Sequence, residues 1–309
     1  MLKKLALGVA VLAVAAAGAF WWLTEPRLLH AEAIAALQPG DAARGERIFW
    51  AGGCASCHTP AGAEGDALLR LSGGAGLKTE FGTFVPPNIS QHPTDGIGSW
   101  TLPQFADAVM SGVSPDGRHF YPAFPYTSYA RMQPSDVADL YAFMKTLPPV
   151  EGKAADSDIA FPFNIRRGIG LWKQLYLSDR PVIALAEGAP ANALAGRYLV
   201  EGPGHCGECH TPRNVAGGTD KGQWLAGAAA AEGGGNVPNI TSDEAGIGSW
   251  SESDIANYLE TGFTPDFDTV GGTMVEVQQN IAKLTPEDRQ AIAAYLKAIP
   301  AHKNGYPAR

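Results

Sequence analysis

Two short stretches constrain this chain more than anything else in it: Cys54-Ala-Ser-Cys57-His58 and Cys206-Gly-Glu-Cys209-His210. Each carries two thiols one helical turn apart, followed directly by an imidazole. That spacing suits thioether bonds to the two vinyl groups of a porphyrin, with the histidine placed under the ring to ligate iron. A bare Cys-x-x-Cys also serves as a redox dithiol, half a zinc site or a disulfide. The adjoining histidine argues against the dithiol. Zinc would need all four thiols gathered from two distant segments, with no use for the placement of the histidines. The chain has 4 cysteines, and the haem reading uses every one.

At 309 residues the chain exceeds one ordinary domain, and two are expected. The 37 glycines and 23 prolines point to long loops between helices. Such loops suit small units wrapped around a flat cofactor that supplies part of their core. A net charge of −8 makes nucleic acid an unsuitable partner and leaves an acidic surface. The first residues read differently. Lys3 and Lys4 precede an apolar run from Leu5 to Leu23 that ends in Phe20-Trp21-Trp22-Leu23. Positive charge before such a run and none within it describe an export signal with its N-terminus inside. Residues 1–25 are therefore expected to be a membrane anchor or signal segment. The tryptophans follow the small residues Ala15 to Ala19, an order that favours a retained anchor with an interfacial belt.

The remainder is written twice. Pro87-Asn88-Ile89-Ser90 returns as Pro238-Asn239-Ile240-Thr241, 151 residues later. Gly96 to Trp100 and Ser114-Pro-Asp116 return as Gly246 to Trp250 and Thr264-Pro-Asp266, both at an offset of 150. Near-constant offsets across separate landmarks indicate a tandem duplication of a domain-sized unit. The expected units are residues 38–150 and 192–309. In the first, Asp41 can cap a helix leading into the Cys54 motif, and Thr101 with Gln104 makes a capping box. Gly112 stops that second helix, and a last one begins at Ser135. In the second, a final helix begins at Thr285 with Pro286 in its first turn. Residues 151–191 join the units, and their aromatic content (Phe161, Phe163, Trp172, Tyr176) suits a linker packed on both rather than a loose tether. Arg166 and Arg167 are candidate partners for haem propionates.

The second axial position of each iron separates electron transfer from catalysis. In the second unit Met274 is the only methionine after the Cys206 motif, in an irregular Gly-rich stretch. Counting back 150 residues lands on Phe124, whose ring cannot ligate iron. Met110 and Met144 read as core, which leaves Met132, in a loop before Gln133-Pro134-Ser135. His92 and His119 are its rivals, and His119 is expected to be exposed.

Past the N-terminal segment, the sequence resembles diheme c-type cytochromes, and most of all the cytochrome subunits of membrane-bound alcohol, fructose and gluconate dehydrogenases. The resemblance rests on Phe49 to His58, Pro87 to Ile89, Gly96 to Trp100, Gly117 to Tyr126, Gly271 to Met274 and the helix from Thr285. It implies an all-α fold of two tandem class I cytochrome c-like helical domains carrying two covalently bound haem c groups. It implies Cys54, Cys57, Cys206 and Cys209 as attachment points, and His58/Met132 and His210/Met274 as iron ligands. In relatives a methionine often stands where this chain has Phe124, and its absence favours Met132. Those subunits usually carry a third haem motif that this chain lacks. The implied role is a non-catalytic electron carrier on the periplasmic side of the cytoplasmic membrane. A dehydrogenase or cytochrome would be its donor, and a cytochrome or oxidase its acceptor. The alternative is a diheme enzyme, a peroxidase or thiosulfate dehydrogenase, with an open iron at the first site.

Overall fold

A computed structural model describes residues 1–231, 235–303 and 306. The end of the 192–309 unit lies partly outside the described residues. The chain opens with α1 (Leu2–Leu23), none of whose residues is buried, and a short α2 (Ala31–Ala35). Helix α3 (Ala42–Ala51) starts where Asp41 accepts the Ala43 and Arg44 N–H groups. It leads through Gly53, in the left-handed region, into α4 (Cys54–His58). Leu102–Ala106 is α5, begun by the Thr101–Gln104 capping box and continued by a π turn over Asp107–Ser111 that Gly112 ends at φ 62°. Helices α6 (Tyr126–Tyr129) and α7 (Pro134–Met144) follow, then α8 (Ile169–Tyr176).

The second set is α9 (Ala191–Glu201), α10 (Gly207–His210), α11 (Glu252–Thr261), α12 (Met274–Ile281) and α13 (Pro286–Ala298). It repeats the first in detail. Ser251 and Asp254 form a capping box 150 residues after that of Thr101, and Gly262 ends the helix as Gly112 does. The bridge Val113↔His119 recurs as Phe263↔Thr269. Helix α3 packs on α7, and α9 on α13, through one glycine each. A Cβ on Gly45 would sit 1.9 Å from the Asp139 carbonyl oxygen, and one on Gly196 would sit 1.8 Å from that of Ala291. Only a residue without a side chain lets the helices cross this closely.

Small sheets depart from the all-helical expectation. β1 (Leu77–Thr79) and β2 (Gly82–Phe84) form a hairpin, and β3 (Asp158–Ile159) adds to its free edge. β4 (Ala228–Ala229) pairs with β5 (Asn236–Val237). Strands of two or three residues are too short to show alternation in a sequence, and Gly82 at φ 128° sets the close approach to β3.

Residues 151–191 touch both repeats. The Lys173 ammonium donates to the Ser111 and Gly112 carbonyls at 2.6 and 2.7 Å, satisfying the end of the π turn. On the other side the Trp172 indole donates to the Ala216 carbonyl, and the Val182 and Ile183 N–H groups donate to the buried Glu201 carboxylate. Arg166 and Arg167, the candidate propionate partners, both have partners within the protein. Arg166 donates to the His119 carbonyl, while Arg167 stacks on Trp21 at 3.8 Å and donates to its carbonyl. A guanidinium plane stacks well on indole, and the last turn of α1 offers carbonyls without helical partners.

A candidate haem-binding pair

Each motif is a short helix hung from the end of a longer one. Helix α4 follows α3 with Ala55 buried beneath it, and α10 follows α9 with Gly207 against Trp224. A Cβ on Gly207 would fall 2.0 Å from that indole ring. The four thiols form no disulfide. Burial pushes the thiols of Cys54 and Cys206 up to about 12, with the second cysteine of each motif adding to the shift. Such a site disfavours a thiolate, whereas a thioether, which carries no charge, is stable in it. Among the described residues no group of three or more His, Cys, Asp or Glu side chains gathers to hold a metal ion, so the shared zinc site has no support.

The histidines carry the decisive geometry. His58 Nδ1 lies 2.7 Å from the Pro87 carbonyl oxygen, and His210 Nδ1 lies 2.8 Å from that of Pro238. A carbonyl only accepts, so Nδ1 carries the proton in each ring and Nε2 keeps its lone pair for a metal. Burial lowers both histidines below their ordinary value, which keeps the rings neutral, as ligation requires. The Pro-Asn loops are pinned for this task. Asn88 donates to the Val150 and Gly152 carbonyls and accepts from Ser90 N–H. Asn239 donates to His302 and accepts from Thr241 N–H in the same way. The donor set and the tautomer of each histidine fit haem iron.

The proposed sixth ligands are less alike. Met274 is half-buried at the start of α12. Met132 is 4% exposed, and its Cγ comes within 3.8 Å of the point a Cβ on Gly202 would occupy, so it packs toward the end of α9. Phe124 stands in a cluster of aromatic rings with Phe120, Tyr126 and Tyr129. His119 is not exposed as expected. It is 3% exposed, with Nε2 held at 2.9 Å by the Thr24 carbonyl at the end of α1. His92 Nδ1 accepts from the Asp95 N–H inside its own turn.

The third residue of each motif reaches the opposite repeat. Ser56 Oγ accepts from the Asn280 amide at 2.6 Å, and the Glu208 carboxylate accepts from Thr127 and Ser128 at 2.7 and 2.8 Å. Burial alone would raise the Glu208 carboxyl, but Arg213 and these hydroxyls hold it below the ordinary value. The Tyr129 hydroxyl and His205 Nε2 both donate to the Gly52 carbonyl, with their rings 5.6 Å apart. The motifs thus back onto a common seam. Spacing gave no sign of this, since Ser56 and Glu208 look like arbitrary fillers.

Comparison with known proteins agrees with this geometry. The cytochrome c family profile matches residues 42–148. A diheme cytochrome c-type protein from Cereibacter sphaeroides is 52% identical over 97% of this chain and 99% of its own length. The chain belongs to the diheme c-type cytochrome family. This cytochrome is also similar to larger proteins. It is 37% identical to the fructose dehydrogenase cytochrome subunit of Gluconobacter japonicus, over 84% of this chain and 52% of that subunit. It is 36% identical to the gluconate 2-dehydrogenase cytochrome c subunit of Pantoea cypripedii, over 84% and 59% respectively. It therefore spans a little over half the length of those subunits.

Proposed function

We propose that this cytochrome is an electron carrier with two haem c groups, held at the periplasmic face of the cytoplasmic membrane by α1. Residues 38–150 and 192–309 are its two cytochrome c domains, and 151–191 the linker between them. Cys54, Cys57, Cys206 and Cys209 hold the porphyrins, and His58/Met132 and His210/Met274 ligate the irons. The observation that carries this reading is the paired Nδ1 contact to Pro87 and Pro238, which presents one metal-ready nitrogen per motif. Haem supplies one-electron chemistry when bound. The chain's own residues fix the imidazoles and keep the two motifs against one seam. The names of the larger relatives make a membrane dehydrogenase the favoured donor, with a cytochrome or oxidase as acceptor. A helix of 22 residues containing an 18-residue stretch of mean hydropathy 2.0 suits a retained anchor.

A redox titration of the purified protein tests the carrier role. Two one-electron waves in the positive or mildly negative range are expected, because a thioether ligand raises the potential. Two strongly negative waves would indicate paired histidines and overturn it. Met132→Ala and Met274→Ala are each expected to remove the methionine-to-iron charge-transfer band from one centre only.

The packing of Met132 toward Gly202 favours one second reading, an enzyme with an open first site. An unchanged spectrum in Met132→Ala, with rapid carbon monoxide binding to one ferrous centre of the parent protein, would select it.

A further inference from the structure

The last turn of α1 does not end free of the body. Thr24 is fully buried, and its backbone lies against Gly170, where a Cβ would fall 2.6 Å from the Thr24 Cα. Gln174 donates to the Leu23 carbonyl at 2.5 Å, and Arg167 donates to the Trp21 carbonyl while stacking on its indole. The segment 161–175 is therefore clamped to the exact turn that carries Trp21 and Trp22, which are 65% and 71% exposed. A helix of 22 residues is about 33 Å long, close to the hydrocarbon thickness of a bilayer. If α1 spans, those tryptophans mark the interface, and whatever is bonded to them lies at the same depth.

The clamped segment is apolar on its outer side. Phe161, Phe163, Ile165, Leu171 and Leu175 are 77%, 44%, 49%, 40% and 75% exposed. They are five of the ten exposed large apolar side chains beyond α1 among the described residues, in a stretch of fifteen. Scattered singles need no explanation, but such a concentration does. Helix periodicity sets where they point. Gly170 and Gln174 face the end of α1, Lys173 faces the body, and Leu171 and Leu175 continue round from the α1 contact on the free side. An apolar stripe flanking a membrane helix, at interfacial depth, is placed to enter lipid.

We infer that residues 161–175 form a second membrane contact, laying Phe161, Phe163, Ile165, Leu171 and Leu175 into the outer interface of the bilayer beside α1. The contact fixes the tilt of the body on the membrane, which a single spanning helix leaves free to rotate. It rests on the reading of α1 as a retained anchor.

The test uses the full-length holoprotein in phosphatidylethanolamine–phosphatidylglycerol vesicles that carry a diazirine-bearing phospholipid. Photolysis and peptide mass mapping locate the carbene adducts. Adducts on both 2–23 and 161–175 are expected. In the Phe161→Ser/Leu175→Ser variant those on 161–175 should be lost, with the haem spectrum and the 2–23 adducts unchanged. Both positions are exposed, so folding is not at stake. Adducts confined to 2–23 would overturn the inference and leave the anchor standing. That result is also the one expected if a partner protein covers the segment. An intact mass showing that the mature chain lacks α1 would overturn the anchor and the inference together.

Discussion

Gly196 marks where the fold tolerates no side chain. A Cβ there would meet the Ala291 carbonyl oxygen at 1.8 Å and the Tyr295 Cβ at 2.8 Å, both on α13. Gly196→Ala is expected to cost about 2 kcal/mol in denaturant unfolding of the holoprotein, as overpacking does. Gly168→Ala is the control, since nothing lies within 4 Å of its Cβ position. Equal midpoints for the two variants would contradict the crossing described here. At this scale the sequence was most legible where chemistry needs a fixed spacing. The cysteines and histidines of the motifs stand out in the sequence because the covalent haem attachment proposed for them would tolerate no other order. The Pro87 and Pro238 carbonyls that set the tautomer were not, because a backbone acceptor leaves no mark on residue identity. Only the repetition of Pro-Asn hinted at them. His119 was misread as exposed because its burial is supplied by Thr24, some 95 residues away.

Among the elements, the start of α3 is tied to the middle of α7. Asp139 accepts from the Asp41 N–H at 2.6 Å and from the Arg44 guanidinium at 2.7 and 2.9 Å. Burial pushes the Asp139 carboxyl up, but these donors outweigh it, and it rests below its ordinary value. A carboxylate depressed on folding stabilises above its unfolded value of about 3.9, and that contribution is lost as pH falls through the folded value. Asp139→Asn is therefore expected to lower stability at neutral pH and to flatten the loss of stability on acidification below about pH 4. A parallel acid limb in parent and variant would contradict it. Caps and stops were legible element by element: Asp41, Thr101, Gly112 and Thr285 each act as their residue types dictate. The π turn before Gly112 was not, because it depends on Lys173 reaching in from α8.

For the whole molecule the seam between the repeats matters most. Arg47 makes a two-pronged ion pair with Asp288 at 2.7 Å, and the Tyr198 hydroxyl donates to Asp136 at 2.5 Å. Both join the two repeats, as do the Ser56–Asn280 and Glu208–Thr127 contacts of the motifs. Arg47→Ala leaves the mostly buried Asp288 without its cation. With Arg47 itself 38% exposed, the expected loss is about 2 kcal/mol, below that of a fully buried pair. Unfolding followed at the two haems should coincide in the parent protein, whereas two separated transitions would show that the seam does not couple them. The duplication was legible from its constant offset, but not how the copies meet, since the seam residues are polar and unlike one another.

All of this depends on both motifs carrying covalent haem. The most direct test is the intact mass of the chain purified from the membranes of a host that matures c-type haem. The expected mass is that of the polypeptide, α1 included, plus two haem groups. A mass with one added group, or none, would contradict the account.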